Sequence, residues 1–294
     1  MAIISLEKLS YSSSFITEAA VNYYKGSKQF TLTTTPGSGE DTITGGNGQD
    51  YIEAGDGNDT ISGGNGKDQL YGGAGDDTIW GDSAKSLDTT EKGANDIIYG
   101  GSGKDTIYGG NGADVLYGDG KNTGTDAVPI AVSDSADDDI LDDYNDLIDG
   151  GNGPDRIIGG LGGDTLTGGS GPDTLVYDRI ADSRSESGEE AGDSADDWDA
   201  ATGDYITDFT KGSDQIDFTT LNSFNPALYF SGENNPQPNG IWYLQADGYT
   251  YIFADTSGNG EADIAIKVKG EIVFSQGDFV GINDVPTISG TSSG

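Results

Sequence analysis

The sequence predicts an all-β protein in which a parallel β-solenoid is followed by an antiparallel β cap at the C-terminal side. Three observations support this prediction. A nine-residue pattern recurs along much of the chain, an aliphatic residue holds one fixed place in it, and short strand-like runs separated by turns follow it. The 294 residues include 49 Gly and carry a net charge of −37. Such a chain is either disordered or neutralised by cations.

Twelve aspartates mark the repeat, in three blocks with a step of nine residues inside each block. Two positions after every one of them lies Ile or Leu, far more often than chance predicts. The aspartates are Asp41, Asp50, Asp59, Asp68, Asp77, Asp96, Asp105, Asp114, Asp146, Asp155, Asp164 and Asp173. The aliphatic residues are Ile43, Ile52, Ile61, Leu70, Ile79, Ile98, Ile107, Leu116, Ile148, Ile157, Leu166 and Leu175.

Each repeat combines a Gly-rich turn with a three-residue strand. Gly tolerates positive φ in the turn, and the middle residue of the strand points inward. Two repeats then form one turn of a flattened parallel helix, whose alternate strands stack into two sheets with Ile and Leu between them. The aspartates of repeats i and i+2 would lie near the strand spacing of about 4.8 Å. At that distance the two carboxylates repel each other unless a divalent cation lies between them.

Repeats such as GGNGKDQLY, GGAGDDTIW and GGNGADVLY follow the pattern GGxGxDxUx, where U is aliphatic. Over residues 36–177 the chain therefore resembles the RTX calcium-binding repeat proteins. The resemblance implies a right-handed parallel β-roll with one Ca²⁺ between turns i and i+2. Asp41 would pair with Asp59, and Asp50 with Asp68. We expect about 8–10 Ca²⁺, which at the upper figure neutralise a little over half of the formal charge.

In that family both aspartates and backbone carbonyls of the Gly-rich turns hold the ion. The resemblance therefore implies metal ligation by the twelve aspartates and by turn residues. The turn glycines are Gly46, Gly48, Gly64, Gly66, Gly73, Gly75, Gly101, Gly103, Gly110, Gly112, Gly151 and Gly153, and the turn asparagines are Asn47, Asn65, Asn111 and Asn152. Carbonyl-rich flexible turns favour Ca²⁺ over Mg²⁺, which demands a smaller and stricter coordination shell.

We divide the chain into four parts. Residues 1–36 form an N-terminal capping segment, with a weak amphipathic helix over 5–25 as the alternative. Residues 37–177 form the roll, with inserted loops at 82–95 and 119–145. Residues 178–282 form a C-terminal β capping module. Residues 283–294 begin a linker or next domain, and they resemble the opening strand of cadherin-like repeats in large bacterial surface proteins. The inserted loops are either solvated excursions or extra Ca²⁺ sites that use Asp82 or Asp119.

The segment DYITDFTKGSDQIDF at 204–218 resembles the stretch that follows the roll in secreted RTX metalloproteases and lipases. The resemblance implies that it extends and closes the roll, with Asp204 or Asp208 as a candidate for a terminal calcium site. Strand-like runs at 241–245, 249–254, 262–268 and 271–274 predict the antiparallel cap. Residues 255–260 look like the start of an EF-hand loop. Position twelve would be Ile266 instead of Glu, which favours a hairpin turn.

The composition excludes several functions. With no His and no Cys, Ser-His-Asp and Cys-His triads, HExxH zinc sites and disulfides are absent. The acidic charge disfavours nucleic-acid binding, and no run is long enough for membrane insertion or has the form of a signal peptide. We expect no catalytic residues and no enzyme activity in this chain.

The most direct functional hypothesis is a module that folds on extracellular Ca²⁺ after type I secretion. It would serve as a structural or adhesin segment of an exported protein at the bacterial cell surface. One alternative is a carbohydrate- or ice-binding module that uses outward rows of Thr and aromatic residues. The Thr row would contain Thr42, Thr60, Thr78, Thr106 and Thr165, and the aromatic rows Tyr71, Trp80, Tyr99, Tyr108 and Tyr117. Another alternative is a non-catalytic part of a secreted RTX enzyme.

Overall fold

Two long β-sheets form the molecule. The computed structural model describes residues 3–5, 19–23, 29–34, 39–82, 94–119, 144–178, 183, 203–224 and 228–284. Within these ranges one sheet has 12 strands and the other has 10. Strands of the repeat region alternate between the two sheets, so each strand pairs in parallel with the strand two places along the chain. This is the all-β parallel roll that the sequence predicts.

The first sheet, sheet A, runs from the N-terminal edge to the C-terminal cap. Its strands in spatial order are β1 (Ile3–Ser5), β4 (Thr42–Asn47), β6 (Thr60–Asn65), β8 (Thr78–Trp80), β10 (Thr106–Asn111), β12 (Leu147–Asn152), β14 (Thr165–Ser170), β16 (Tyr205–Ile206), β21 (Ile264–Lys269), β20 (Tyr249–Ala254), β19 (Gly240–Ala246) and β18 (Tyr229–Glu233).

Sheet B faces sheet A across the core. Its strands in spatial order are β2 (Ala19–Tyr23), β3 (Gln29–Thr34), β5 (Gln49–Asp56), β7 (Gln69–Ala74), β9 (Ile97–Ser102), β11 (Val115–Asp119), β13 (Arg156–Ile158), β15 (Thr174–Val176), β17 (Gln215–Asp217) and β22 (Phe279–Val280). A short helix, α1 (Thr219–Phe224), follows β17, and a 3-10 helix spans Gln276–Asp278.

The aliphatic row of the repeat forms the core, as predicted. All twelve Ile and Leu residues are at most 1% exposed. The strand register places them directly above one another, for example Ile61 on Ile79 and Leu70 on Ile98. Burial of each such side chain contributes about 1.5–3 kcal/mol. Because one residue per repeat is buried, this stabilisation accumulates only when successive turns stack.

The core continues past the repeats into the C-terminal region. Ile206 and Ile216 extend the two aliphatic rows, and Val268 and Phe279 lie next in register. A single buried cluster therefore runs from the first repeat to the cap. Trp242 is 1% exposed and packs in a second cluster on the cap sheet, so core packing explains it.

The cap differs from the prediction in two respects. Strands β19, β20 and β21 pair antiparallel as expected, but β21 joins β16 in parallel, so the cap continues sheet A. The predicted strand at 271–274 is wrong. Instead, the Thr250 hydroxyl donates to Gly270 O at 2.8 Å and accepts from Ile272 N at 2.8 Å, replacing a strand ladder.

At the N-terminal edge, β1 pairs with β4 and β3 pairs with β5, both in parallel. The alternative of a helix over 5–25 is wrong for residues 19–23, which form β2, antiparallel to β3. Most of both inserted loops, the acidic connection after the roll and residues 285–294 lie outside the described residues. Among the described residues, no helix has the length and apolar character needed to cross a membrane.

Candidate metal centre

The repeat aspartates form two continuous rows, one at each edge of the roll, because successive turns lead from sheet A to sheet B and back. One row begins at Asp41 and the other at Asp50. In each step the backbone N–H of one Asp donates to Oδ1 of the Asp in the turn above, as Asp59 does to Asp77 at 2.8 Å. The steps Asp41 to Asp59 and Asp50 to Asp68 are the pairs that the sequence predicts, each at 2.7 Å. The remaining steps of the two rows have the same geometry.

In ten of these twelve residues, the second carboxylate oxygen has no hydrogen-bond partner within the part of the chain that the structure describes. The atoms concerned are Oδ2 of Asp59, Asp68, Asp77, Asp96, Asp105, Asp114, Asp146, Asp155, Asp164 and Asp173. Each of these residues is at most 2% exposed. A buried carboxylate oxygen without a donor is costly, so each row is an incomplete arrangement that a cation would complete.

The gap between turns 72–77 and 100–105 illustrates the geometry. A Cβ atom added at Gly72 would meet Asp77 Oδ2 and would lie 2.5 Å from Gly100 O. Added Cβ atoms at Gly101 and Gly103 would meet the carbonyl oxygens of Gly73 and Gly75, respectively. These glycines are therefore required because oxygen atoms occupy the space that a side chain would need.

Five oxygen atoms consequently border this gap. They are Asp77 Oδ2, the carbonyl oxygens of Gly73, Gly75 and Gly100, and Asp105 Oδ1, which accepts from Asp77 N at 2.8 Å. Carboxylates mixed with backbone carbonyls are the ligand set that Ca²⁺ prefers. Within the described ranges no group of three acidic side chains forms a metal site by itself, so the backbone carbonyls are essential to the site.

Burial and repulsion between neighbouring carboxylates disfavour the charged form of these aspartates. Burial, with a smaller contribution from neighbouring carboxylates, raises the pKa of Asp96 to about 9 and that of Asp77 to about 8. For Asp146 and Asp164, burial is again the largest cause of a pKa well above the usual value. Without a cation, each folded row therefore favours protonated carboxyl groups at neutral pH.

The structure brings most of the predicted ligand residues together. All twelve aspartates are in the two rows. The predicted ligand carbonyls that face the turn above are those of Gly46, Gly48, Gly73, Gly75, Gly110, Gly112, Gly151 and Gly153. Positions in the turn are numbered along the six residues GGxGxD. In the pair Asn111 and Asn152, the side chains of these third-position asparagines do not point at the metal gap. Asn152 Nδ2 donates to Asn111 Oδ1 at 2.9 Å at the outer end of the turns. These two side chains therefore bond to each other.

Sequence reasoning named Asp204 as a candidate for a terminal calcium site and missed Asp214. The two residues continue the two rows, accepting from Asp164 N and Asp173 N, respectively, at 3.0 Å each. The signal for Asp214 was its spacing to Ile216, which is that of the repeat. The carbonyls of the first turn glycines were also missed, as were those of Gly55 and Gly57, which face Gly73 and Gly75.

A second row of side chains was missed at the fifth turn position. There Asn58 Oδ1 accepts from Asp76 N at 3.0 Å, and Asp76 Oδ1 accepts from Lys104 N at 3.0 Å. Asn95 and Asn145 repeat the pattern at the ends of the two inserted loops. The frequent Asn or Asp before the repeat Asp was the signal for it.

Two other candidate metal sites are occupied by N–H donors. Gly168 N and Gly169 N donate to the two carboxylate oxygens of Asp208, at 2.9 and 2.8 Å. In the EF-hand-like loop, Asp255 accepts from Gly258 N at 2.6 Å and from Gly260 N at 2.7 Å, and it is 0% exposed. This agrees with the preferred interpretation as a turn between β20 and β21.

Fold and site together define a calcium-binding β-roll built from nonapeptide repeats. A family model of the RTX calcium-binding nonapeptide repeat matches residues 36–70, 54–84, 92–122 and 140–175. The chain thus carries RTX calcium-binding repeats, which imply multiple Ca²⁺ ions.

Two solved structures that resemble the chain are repeat subunits from Azotobacter vinelandii mannuronan C5-epimerase. The AlgE6R2 subunit is 22% identical, with a TM-score of 0.33, and the match covers 66% of this chain and 91% of that subunit. The AlgE6R3 subunit is 23% identical, with a TM-score of 0.28, and the match covers 72% and 89%. No curated protein sequence matches the chain.

Proposed function

We propose that this chain is a calcium-dependent folding module of an exported protein. The observation that supports the proposal is the double row of buried carboxylates whose Oδ2 atoms lack hydrogen-bond donors within the described residues. In each gap the ion would be held by the two aspartates and by the carbonyls of the first, second and fourth turn glycines. RTX repeats are typical of secreted proteins, which is consistent with export.

The physical basis is the cost of the folded rows without metal. Eleven of the twelve repeat carboxylates are buried, each stacked on another, and they disfavour the compact state at neutral pH. Ca²⁺ that binds only the folded form stabilises it by mass action. In a cytosol with little free Ca²⁺ the chain would stay expanded and pass through a type I secretion channel. Outside the cell, millimolar Ca²⁺ would fold it.

Once folded, the module would act as a structural or adhesin segment at the bacterial cell surface. The continuous core from Ile43 to Phe279 supports a stiff unit, because each strand depends on its neighbours. We propose no catalytic role for it. The alternative, a non-catalytic part of a secreted RTX enzyme, requires the same calcium chemistry.

Far-UV circular dichroism tests the proposal. The chelator-treated full chain is titrated with Ca²⁺ and, in parallel, with Mg²⁺. We expect a cooperative gain of β signal with Ca²⁺ alone, saturating at several ions per chain. A chain that is fully β-structured in chelator, or that responds equally to Mg²⁺, would contradict calcium-dependent folding.

One observation bears on the carbohydrate- or ice-binding alternative. On sheet B the rings of Tyr71 and Tyr99 stack at 4.8 Å, and those of Tyr99 and Tyr117 at 4.5 Å. Rings stacked in this way use their faces on one another, which leaves mainly edges for a sugar. On sheet A the Thr row is in register, but Leu147, 40% exposed, interrupts it. Retention on polysaccharide, or ice hysteresis lost in Thr60→Lys, would revive this alternative.

A further inference from the structure

The first inserted loop leaves the roll at one defined place in the turn. Gly81 and Asp82 occupy the first and second turn positions, and Ala94, Asn95 and Asp96 occupy the fourth, fifth and sixth. An added Cβ at Gly112 would meet Ala94 O, as it would meet a fourth-position glycine carbonyl in other turns. The insertion therefore replaces only the third position, and the rest of the turn keeps its ligand geometry.

At the second turn position, Asp82 places a carboxylate where other turns place a backbone carbonyl. In uninterrupted turns the second-position carbonyl faces the second glycine of the turn above, as Gly73 O faces Gly101. The backbone carbonyl of Asp82 instead accepts from Ser62 Oγ at 3.1 Å. Its carboxylate takes the vacated direction, because Oδ2 would lie 2.5 Å from a Cβ added at Gly110 and accepts from Asn111 N at 2.7 Å.

The gap above Asp82 contains two further carboxylates that point into it. Asp96 and Asp114 are each 1% exposed, and Asp96 Oδ2, which faces this gap, has no hydrogen-bond partner among the described residues. Asp96 Oδ2 lies 2.5 Å from the Cβ position of Gly81, beside Gly109 O. Asp114 Oδ1 accepts from Asp96 N at 2.8 Å. An anionic side chain thus replaces a neutral carbonyl in a gap already bordered by two buried carboxylates.

The second inserted loop has the same arrangement. Asp119 occupies the second position of its turn, and its Oδ2 accepts from Leu161 N at 2.8 Å. A Cβ added at Gly160 would lie 2.5 Å from Asp119 Oδ2. In uninterrupted turns a carbonyl occupies this place, and at both insertions a carboxylate does.

We propose that Asp82, and by the same geometry Asp119, are further calcium ligands that give the two interrupted turns a third carboxylate. The inference rests on the proposed calcium-dependent folding and adds a residue role to it. Higher ligand charge raises Ca²⁺ affinity, so these two gaps are the tightest sites of the roll. Calcium bound there would hold together the two turns that the inserted loops interrupt.

The variant Asp82→Asn tests the proposal, because its amide oxygen still accepts from Asn111 N while the charge is gone. The matched control is Asp56→Asn, which removes one negative charge from an exposed third turn position. Free Ca²⁺ at the midpoint of the β-signal transition is measured for both, with bound Ca²⁺ measured by equilibrium dialysis. We expect the midpoint to rise about threefold or more in Asp82→Asn and to stay nearly unchanged in Asp56→Asn.

Equal midpoints in the two variants would overturn the role of Asp82 and leave calcium-dependent folding intact. A wild-type chain that does not respond to Ca²⁺ would overturn the proposed function itself. If Asp82→Asn does not fold at saturating Ca²⁺, Asp82→Gly restores the usual Gly-Gly turn with its neutral carbonyl. A wild-type midpoint in Asp82→Gly would then overturn the inference, and a raised one would support it.

Discussion

The backbone N–H of Asp77 donates to Oδ1 of Asp105 at 2.8 Å, although 28 residues separate them. Asp59 makes the same bond to Asp77 across 18 residues. The difference of ten residues equals the eleven residues 83–93 minus the one turn residue that they replace. The register of the aspartate row therefore survives the inserted loop, and every gap between turns keeps one carboxylate from below and one from above.

Asp105 borders two gaps, so its charge should matter twice. We expect Asp105→Asn to lower the number of bound Ca²⁺ by about two per chain and to raise the folding midpoint about tenfold. Equilibrium dialysis at fixed free Ca²⁺ measures the count. Asp56→Asn, an exposed acid in a turn, is the matched control. Unchanged ion number and midpoint in Asp105→Asn would contradict the assignment of the row as ligands.

The pH dependence of the metal-free chain follows from the raised pKa values. Burial raises the pKa of Asp96 to about 9, that of Asp77 to about 8 and that of Asp105 to about 7. The metal-free folded form therefore binds protons more tightly than the unfolded form. Its stability is greatest below the usual Asp pKa of about 3.9 and falls as pH rises through about 7 to 9.

We accordingly expect chelator-treated protein to gain β signal when the pH is lowered from about 8 to about 5. With Ca²⁺ present the trend reverses, because the ion competes with protons and its folding midpoint falls as pH rises. Circular dichroism at a series of pH values, with and without Ca²⁺, measures both. Trends of the same sign would show that the row is not the titrating element.

The repeat region was predictable because one Asp and one aliphatic residue recur at a fixed spacing. That spacing gave the two sheets, the buried row and the places where the loops leave the roll. The cap was less predictable. The parallel pairing of Ile206 with Val268 joins residues far apart in the chain, and the Thr250 hydroxyl ends the strand pattern before Ile272. Neither contact leaves a periodic signal in the sequence.

The repeat Asp, at the sixth position of each turn, was predictable from the sequence, and the other candidate ligands were less so. No Gly-Gly precedes Asp204 or Asp214, although their Asp-x-Ile spacing fits, so Asp204 was only a candidate for a terminal site and Asp214 was left out. The first-position carbonyls depend on the direction of the peptide plane, which the residue Gly does not specify. Which oxygen atoms fill the space beside each turn glycine depends on the folded backbone and not on the residue type.

First-position glycines should tolerate no side chain. A Cβ at Gly100 would lie 2.8 Å from Asp105 Cγ and would meet Asp105 Oδ2 and Gly118 O. We expect Gly100→Ala to cost about 1–3 kcal/mol of stability in Ca²⁺, measured by urea unfolding. Gly46→Ala is the control, since a Cβ there has nothing within 4 Å.

The natural sequence contains the converse substitution. Ala54 stands at the first position of its turn, where in other turns oxygen atoms border the space of an added Cβ, as at Gly72. We expect Ala54→Gly to lower the free Ca²⁺ at the folding midpoint. A raised midpoint in Ala54→Gly, or equal stability of Gly100→Ala and Gly46→Ala, would show that these Cβ positions do not reach the ion.

The row of sites should end at Asp214. Its Oδ1 accepts from Asp173 N at 3.0 Å, as in the repeats, but its Oδ2 accepts from Thr210 N at 2.7 Å. The oxygen that would face a further gap is thus already satisfied by a backbone donor. We expect Asp214→Asn to remove about one Ca²⁺ per chain, half the loss in Asp105→Asn, when both are dialysed at the same saturating free Ca²⁺. Equal losses in the two variants would mean that calcium sites continue beyond Asp214 into the cap.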